Sequence, residues 1–345
     1  MTHLNETAQD TGGDTGLRVI GLEEHIMFPE VVDAWRKAGT AEDDLAFMAS
    51  TTGETGRRLA EVSDERRASM RSTGLDTQVL SLSTPGLQNL GAADAAALQS
   101  DCNDRIAALA ADTTRQVQGL ATLALQRPAR AAAELGRSIG DLGLDGAMIF
   151  SRVGGRPLDD QSFWPVFEAA EALAVPLHLH PMTPPAAVRH AYYDGFAPEV
   201  SAALASHRLG WHYDTGVAYL RLILAGVFDR FPGLRLVLGH WGELVLFYLD
   251  RLEPLARIAG LPRTIGEYVR DHLYVTPSGM LSHAYLQEAV RIVGAEHVLF
   301  ATDYPFEPAA HAGARTFLQQ ARLADDERRL IASGNWERLR GDIKR

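Results

Sequence analysis

From residue 17 onward, short apolar runs alternate with longer stretches of helical pattern. The runs fall at 17–22, 77–84, 117–125, 146–151, 175–180, 234–241, 273–279 and 298–304, which makes eight. Each is short and rich in Val, Ile or Leu, as expected of parallel strands covered on both faces. Between them lie stretches such as DERRASMRSTG, DAAALQSDCNDRIAALAAD and PARAAAELGRSIGDLG, which read as helices. Repeated strand–helix alternation without sustained hairpin signals predicts an α/β fold, a (β/α)8 TIM-type barrel. Two connections, roughly 31–65 and 182–214, are longer than a barrel needs. Both follow strand C-termini, so they are expected as loop insertions at the C-terminal face, where barrels build their active sites.

Composition refines this picture only a little. A chain of 345 residues could hold two ordinary domains, but no linker or shift in composition divides it. Residues 1–16, polar and rich in Gly and Thr, read as a disordered tail, and residues 17–345 as a single barrel domain. The net charge of −11 and the lack of a Lys/Arg stripe argue against a nucleic-acid partner. A single cysteine, Cys102, excludes intramolecular disulfides and a cysteine-based metal site. No apolar run approaches the roughly 20 residues of a membrane span, and the tail has no signal-peptide h-region. A cytoplasmic protein with no membrane partner is expected.

Candidate chemistry lies where the strands end. The first run leads into Glu23-Glu24-His25, and alternation along a strand places Glu23 and His25 on one face and Glu24 on the other. The fifth run ends in His178-Leu179-His180, the sixth in His240 and the eighth in Asp303. In a barrel these groups converge at the C-terminal mouth. A glutamate, histidines and an aspartate supply oxygen and nitrogen donors suited to one divalent ion, Zn²⁺ or Mn²⁺, with a position left open. Such an ion acts as a Lewis acid or activates water. Of the fifth-strand pair, His180 is nearer the C-terminus and is favoured over His178 as a ligand. Glu24 is expected to be structural, His212 is left open, and the other histidines fit no convergent pattern.

In order and spacing, GLEEH, HLHP, LGHWGE, YVTPSG, ATDYPFE and SGNWERL resemble the metal-dependent amidohydrolase superfamily, and within it the branch of non-oxidative aromatic-acid decarboxylases. The resemblance spans nearly the whole chain after the tail. It implies Glu23, His25, His180 and Asp303 as metal ligands, with Asp303 also the proton donor to the ring. His240 is implied as a histidine behind the metal ligands or in contact with the substrate, oriented by Glu243 and able instead to deliver the proton or polarise a hydroxyl group, and Arg251 as a group facing the substrate carboxylate or a neighbour. Met27, Phe28, Trp241 and Phe306 flank these positions and suit an aromatic carboxylic acid. Glutamate at the first position of Glu-x-His, and no bridging lysine in GAMIFS, favour one metal over a two-metal hydrolase centre. The alternatives are a hydrolase or hydratase using a metal-activated water on an amide, lactone or unsaturated acid, and an inactive binding barrel. Met182-Thr183-Pro184 after HP, and Ala218-Tyr219, depart from the family pattern and bear on the substrate more than on the metal. The resemblance also implies a homodimer or homotetramer.

Overall fold

The computed structural model describes residues 16–39, 44–112, 116–307 and 313–345. The predicted tail therefore lies outside the described residues apart from Gly16. β1 (Ile20–Ile26) pairs in parallel with β2 (Thr77–Leu82), and β2 with β3 (Val117–Gly119). β4 (Ala121–Thr122) continues β3 beyond Leu120 and pairs with β5 (Ala147–Phe150). A small antiparallel ribbon, β6 (Arg152–Val153) and β7 (Arg156–Pro157), follows. β8 (Pro176–His180), β9 (Arg235–Leu238) and β10 (Leu273–Val275) extend the parallel array from β5.

Residues 298–304 close the ring without forming a regular strand. Leu299 N–H donates to Val275 O (2.8 Å) on one side. On the other, Leu22 N–H donates to Phe300 O and His25 N–H to Tyr304 O, both at 2.8 Å. All eight predicted strands are thus found at their positions in a closed parallel barrel, although the third is split at Leu120 and the eighth pairs through isolated bridges. Leu120 is shared: its N–H bonds Leu80 O while the next N–H, of Ala121, bonds Gly146 O, so the strand changes partner there.

The three helical patterns appear as Asp64–Thr73, Ala92–Ala111 and Pro128–Gly140. The first is bounded by a Ser63 cap, whose side chain accepts from Glu65 N–H, and by Gly74 at φ 82°. The two long connections differ from the expectation of loops, because they are largely helical. Pro29–Ala38, Leu45–Thr51 and Gly53–Leu59 occupy the first. Ala186–Tyr192, Pro198–Ala205 and the start of Gly210–Leu224 occupy the second. Most of these helices make only two or three turns, too few for an apolar period to stand out in the sequence.

Inside the barrel, Ile20, Leu22, Val79, Leu120, Val237 and Leu299 pack on Trp336 and Leu339 of the helix Asn335–Gly341. Trp336 Nε1–H donates to Gln118 Oε1 at 2.7 Å. Apolar side chains and this helix therefore fill one end of the barrel and leave the polar groups to the C-terminal mouth. Among the described residues no helix is long and apolar enough to cross a membrane.

The helix Gly210–Leu224 lies directly on the turn after β9. A Cβ at Gly216 would stand 2.3 Å from the Glu243 carbonyl oxygen, so only glycine permits this approach. Gly216→Ala is expected to destabilise the protein by about 1–3 kcal/mol through overpacking. Denaturant unfolding measures this, and an unchanged midpoint would contradict the close contact.

Candidate metal centre

The site begins with a break in the pairing of β1. Gly21 stands opposite Gln78 and Glu24 opposite Leu80, so Leu22 and Glu23 together face the single residue Val79. This bulge changes the phase of the strand. Ile20 and Leu22 point into the barrel; strict alternation from them would have brought Glu24 inward and sent Glu23 and His25 out. With the extra residue, Glu23 and His25 face the barrel axis and Glu24 lies outside it.

Glu23, His25, His180 and Asp303 are all buried, and one ligand atom from each lies within 4.8 Å of all the others. His180 Nε2 is 3.1 Å from Glu23 Oε1, and His25 Nε2 is 3.2 Å from Asp303 Oδ1. The surroundings leave these atoms free for a cation. His180 Nδ1–H donates to Pro181 O at 2.8 Å, which fixes the tautomer with a lone pair on Nε2. Glu23 Oε2 accepts from the Ser278 hydroxyl and, at 3.3 Å, from Thr276 Oγ1. Glu23 Oε1 and His25 Nε2, by contrast, are buried and have no hydrogen-bond partner. Buried polar atoms without partners are costly, and two carboxylates with two imidazoles turned inward fit one divalent cation. Gly239 lets the sixth strand pass closely, since a Cβ there would meet Ser278 Oγ at 2.6 Å and Glu23 Oε2 at 2.8 Å. Ser278→Ala is expected to weaken metal binding about 10–100-fold, the usual effect of losing a group that orients a ligand. Metal titration of the apoprotein measures it; an unchanged affinity would count against the arrangement.

Beside the four lies a second group. The turn after β9 runs left-handed through His240 (φ 48°), Trp241 (59°), Gly242 (82°), Glu243 (51°) and Leu244 (69°). Non-glycine residues rarely adopt such angles, and strain of this kind concentrates at functional sites. The turn folds Glu243 back so that His240 Nδ1–H donates to Glu243 Oε1 at 2.8 Å. His240 Nε2 then faces Asp303 Oδ2 at 3.8 Å. Asp303 is itself left-handed, at φ 58°.

The electrostatics follow from this crowding. Burial alone would raise the Glu23 carboxyl, but His178, His180 and His240 hold it well below the usual carboxylate range. Burial opposes a charge on His240, yet Glu243 and Asp303 raise it well above the ordinary histidine value. Burial would lift Asp303, but the His240 and His25 imidazoles beside it keep it low. Both shifts run in the same direction, towards charge on Asp303 and on His240.

The other sequence-derived positions separate clearly. His178 lies next to the cluster, with Nε2 3.6 Å from Glu23 Oε2, and burial pushes its imidazole down to about 4. Glu24 braces the barrel wall: it accepts from Thr302 N–H (2.9 Å) and Gln78 Nε2 (3.1 Å), and burial lifts its carboxyl to about 7. Phe306 meets the His25 ring at 5.6 Å between centroids. Met27, Phe28 and Trp241 instead belong to the main apolar core, with the Arg105 guanidinium 4.0 Å over the Phe28 ring and Trp241 Nε1–H donating to Met280 O. Arg251 is exposed on Leu249–Leu252 and lines a surface groove with Arg270, Glu288 and Arg291, away from the cluster. The sequence reading missed Phe150, whose ring meets His180 at 5.8 Å, and its apolar neighbours Met148 and Met182. It also missed buried Arg66, which donates to the His25 carbonyl and lies 4.5 Å over the Tyr304 ring. Phe150 is in register with His180 on the neighbouring strand, a pairing that the sequence alone does not show.

Comparison with known proteins gives the family. The family model described as amidohydrolase matches residues 36–339. A γ-resorcylate decarboxylase of Polaromonas sp. is 32% identical over 93% of this chain and 97% of its own. The crystal structure of 5-carboxyvanillate decarboxylase from Sphingomonas paucimobilis superposes with a TM-score of 0.86 at 34% identity, covering 95% of this chain and all of that one. A dihydroxybenzoic acid decarboxylase from Polaromonas, solved with manganese and the inhibitor 2-nitroresorcinol, gives 0.81 at 29% identity over 94% and 97%. The chain belongs to the amidohydrolase family, in its branch of non-oxidative aromatic-acid decarboxylases.

Proposed function

We propose that this protein is a metal-dependent decarboxylase of a hydroxylated aromatic acid of the ortho-hydroxybenzoate type, in which ring protonation precedes loss of CO2. The observation that carries the reading is the placement of His240 and Asp303. A buried carboxylate of the four-donor cluster stands 3.8 Å from an imidazole whose proton is held by Glu243. The pair puts a carboxylate in line with an imidazole that a second carboxylate orients, the arrangement that a proton relay to a ring carbon needs. Phe150, Met182 and Phe306 add apolar surface next to His180 and His25, suited to an aromatic ring.

Glu23, His25, His180 and Asp303 would hold one divalent ion, Mn²⁺ or Zn²⁺, which when bound supplies Lewis-acid charge that fixes the substrate and keeps its ortho phenolate ionised. The protein's own groups then move the proton. His240 releases it from Nε2 to Asp303 Oδ2, and Asp303 delivers it to the ring carbon bearing the carboxylate. The C–C bond to the carboxylate breaks, its electron pair restores the aromatic ring, and CO2 departs. The net change is one proton consumed for each CO2 released. A positioned general acid of this kind contributes typically about 10²–10⁴-fold.

Residues 17–345 act as one catalytic unit in this reading, cytoplasmic and homo-oligomeric as a dimer or tetramer. Exposed Tyr192, Phe196, Val200 and Tyr213 on the second insertion support an assembled state. The test is incubation of the metal-loaded protein with a panel of ortho-hydroxybenzoates while CO2 is followed. Release of CO2 with formation of the phenol is expected; no release, alongside turnover of an ester, lactone or amide, would replace this reading with the hydrolase.

A further inference from the structure

His212 has no part in the chemistry so far, yet it shares the carboxylate that orients His240. Its Nδ1–H donates to Glu243 Oε2 at 2.8 Å, while His240 Nδ1–H takes the other oxygen, Oε1, at the same distance. The two imidazole rings stand 4.3 Å apart. His212 Nε2 lies 3.0 Å from the carbonyl oxygen of His207, so the ring is held at both nitrogens. Glu243 is 1% exposed, and each of its carboxylate oxygens is engaged by one imidazole.

Glu243 sits in a turn of unfavourable backbone angles that must be held in place by its surroundings. Two contacts from the helix Gly210–Leu224 supply that hold: the close approach of Gly216 to the Glu243 carbonyl and the hydrogen bond from His212 to its carboxylate. Without His212, the carboxylate gains a free oxygen in a buried site. It can then rotate about its own axis, and the Nδ1 contact that aims His240 Nε2 at Asp303 is no longer fixed. Among the described residues His212 contacts Glu243, His207 and His240, and none of the four-donor cluster.

We propose that His212 is a positioning residue for the proton transfer: through Glu243 it fixes the ring of His240, and so ties the seat of the second insertion to the chemical step. This rests on the decarboxylase reading above. Its effect is confined to the step in which His240 passes its proton, so it should appear in kcat rather than in substrate or metal binding.

Three substitutions test it. Asparagine places its side-chain N–H where His212 Nδ1 lies and can still donate to Glu243. Glutamine reaches towards the Nε2 position and the His207 carbonyl instead, and alanine makes neither contact. His212→Ala and His212→Gln are expected to lower kcat about tenfold, as a small misplacement of a reacting group does, with KM within about twofold and metal content unchanged. His212→Asn is expected to restore kcat to within about threefold of the parent. The asparagine–glutamine pair decides the matter even if the alanine variant folds poorly. Wild-type kcat in the glutamine variant, an asparagine variant no better than glutamine, or a loss that resides in KM or in metal content would overturn the proposal. A parent protein that turns over while all the variants match it defeats this proposal alone; a parent that releases no CO2 from any acid in the panel defeats the decarboxylase reading and this proposal with it.

Discussion

Asp303→Asn is expected to lower kcat on the order of 10³-fold, within the range a general acid contributes, while the protein still binds its metal. The amide keeps one oxygen towards His25 Nε2, now 3.2 Å from Oδ1, and leaves Glu23, His25 and His180 in place. It cannot accept the proton that His240 holds and pass it to a ring carbon. Because His240 faces Asp303 Oδ2 at 3.8 Å, the amide N–H2 group would face the His240 N–H, a donor against a donor. The ring of His240 is then pushed away from the substrate side and does not replace Asp303. Steady-state rates with a hydroxybenzoate, together with metal analysis of the same preparation, measure this. A variant with full metal and near-parental kcat would remove Asp303 from the proton path.

Much of this architecture could be read from the residues. Short Val/Ile/Leu runs separated by helical stretches mark all eight barrel strands, and strand ends placed side by side bring Glu23, His25, His180 and Asp303 together from the sequence alone. The expectation that Glu23 and His25 share a face was sound, but its reason was incomplete. Ile20 and Leu22 also face inward, which simple alternation forbids, and the bulge opposite Val79 reconciles the two. Nothing in the LRVIGLEEH stretch marks that extra residue, because a bulge is set by the partner strand.

The supports of the site were hidden for a related reason. Ser278 reaches Glu23 across 255 positions, and His212 reaches Glu243 only because the left-handed turn at 240–244 meets a helix from an insertion. Sequence patterns report local periodicity, and neither contact is periodic. Of the aromatic residues that follow ligands in sequence, Phe306 meets the His25 ring whereas Phe28 and Trp241 turn into the core, and Phe150, opposite His180 on the next strand, meets the His180 ring. Arg251 lies exposed on a short helix beyond the cluster, and the sequence shows no sign of which way its charge points.

Glu23→Gln carries the second large expected effect, loss of the bound ion itself. The substitution keeps the shape of the side chain and changes two properties at once. The charge that His178, His180 and His240 stabilise is gone, so the cluster loses one of its two carboxylates. The amide must also present an N–H2 either to the hydroxyl of Ser278, now a donor to Oε2, or to His180 Nε2, where the carboxylate has Oε1 at 3.1 Å. Ser278 can turn its hydroxyl to accept, through its 2.8 Å contact with Thr276, so the amide oxygen is left as a weak neutral ligand. Losing the charge of a primary ligand should exceed the roughly 10–100-fold cost of losing its support. Metal affinity is therefore expected to fall by more than about 100-fold, with activity lost at ordinary metal concentrations. Dialysed protein analysed for Mn and Zn, followed by a titration with Mn²⁺ read by the ion's own magnetic resonance signal, checks this without reference to turnover. Retention of one tightly bound ion per chain would show that Glu23 is not a ligand, and the buried, unpartnered Oε1 would then need another explanation.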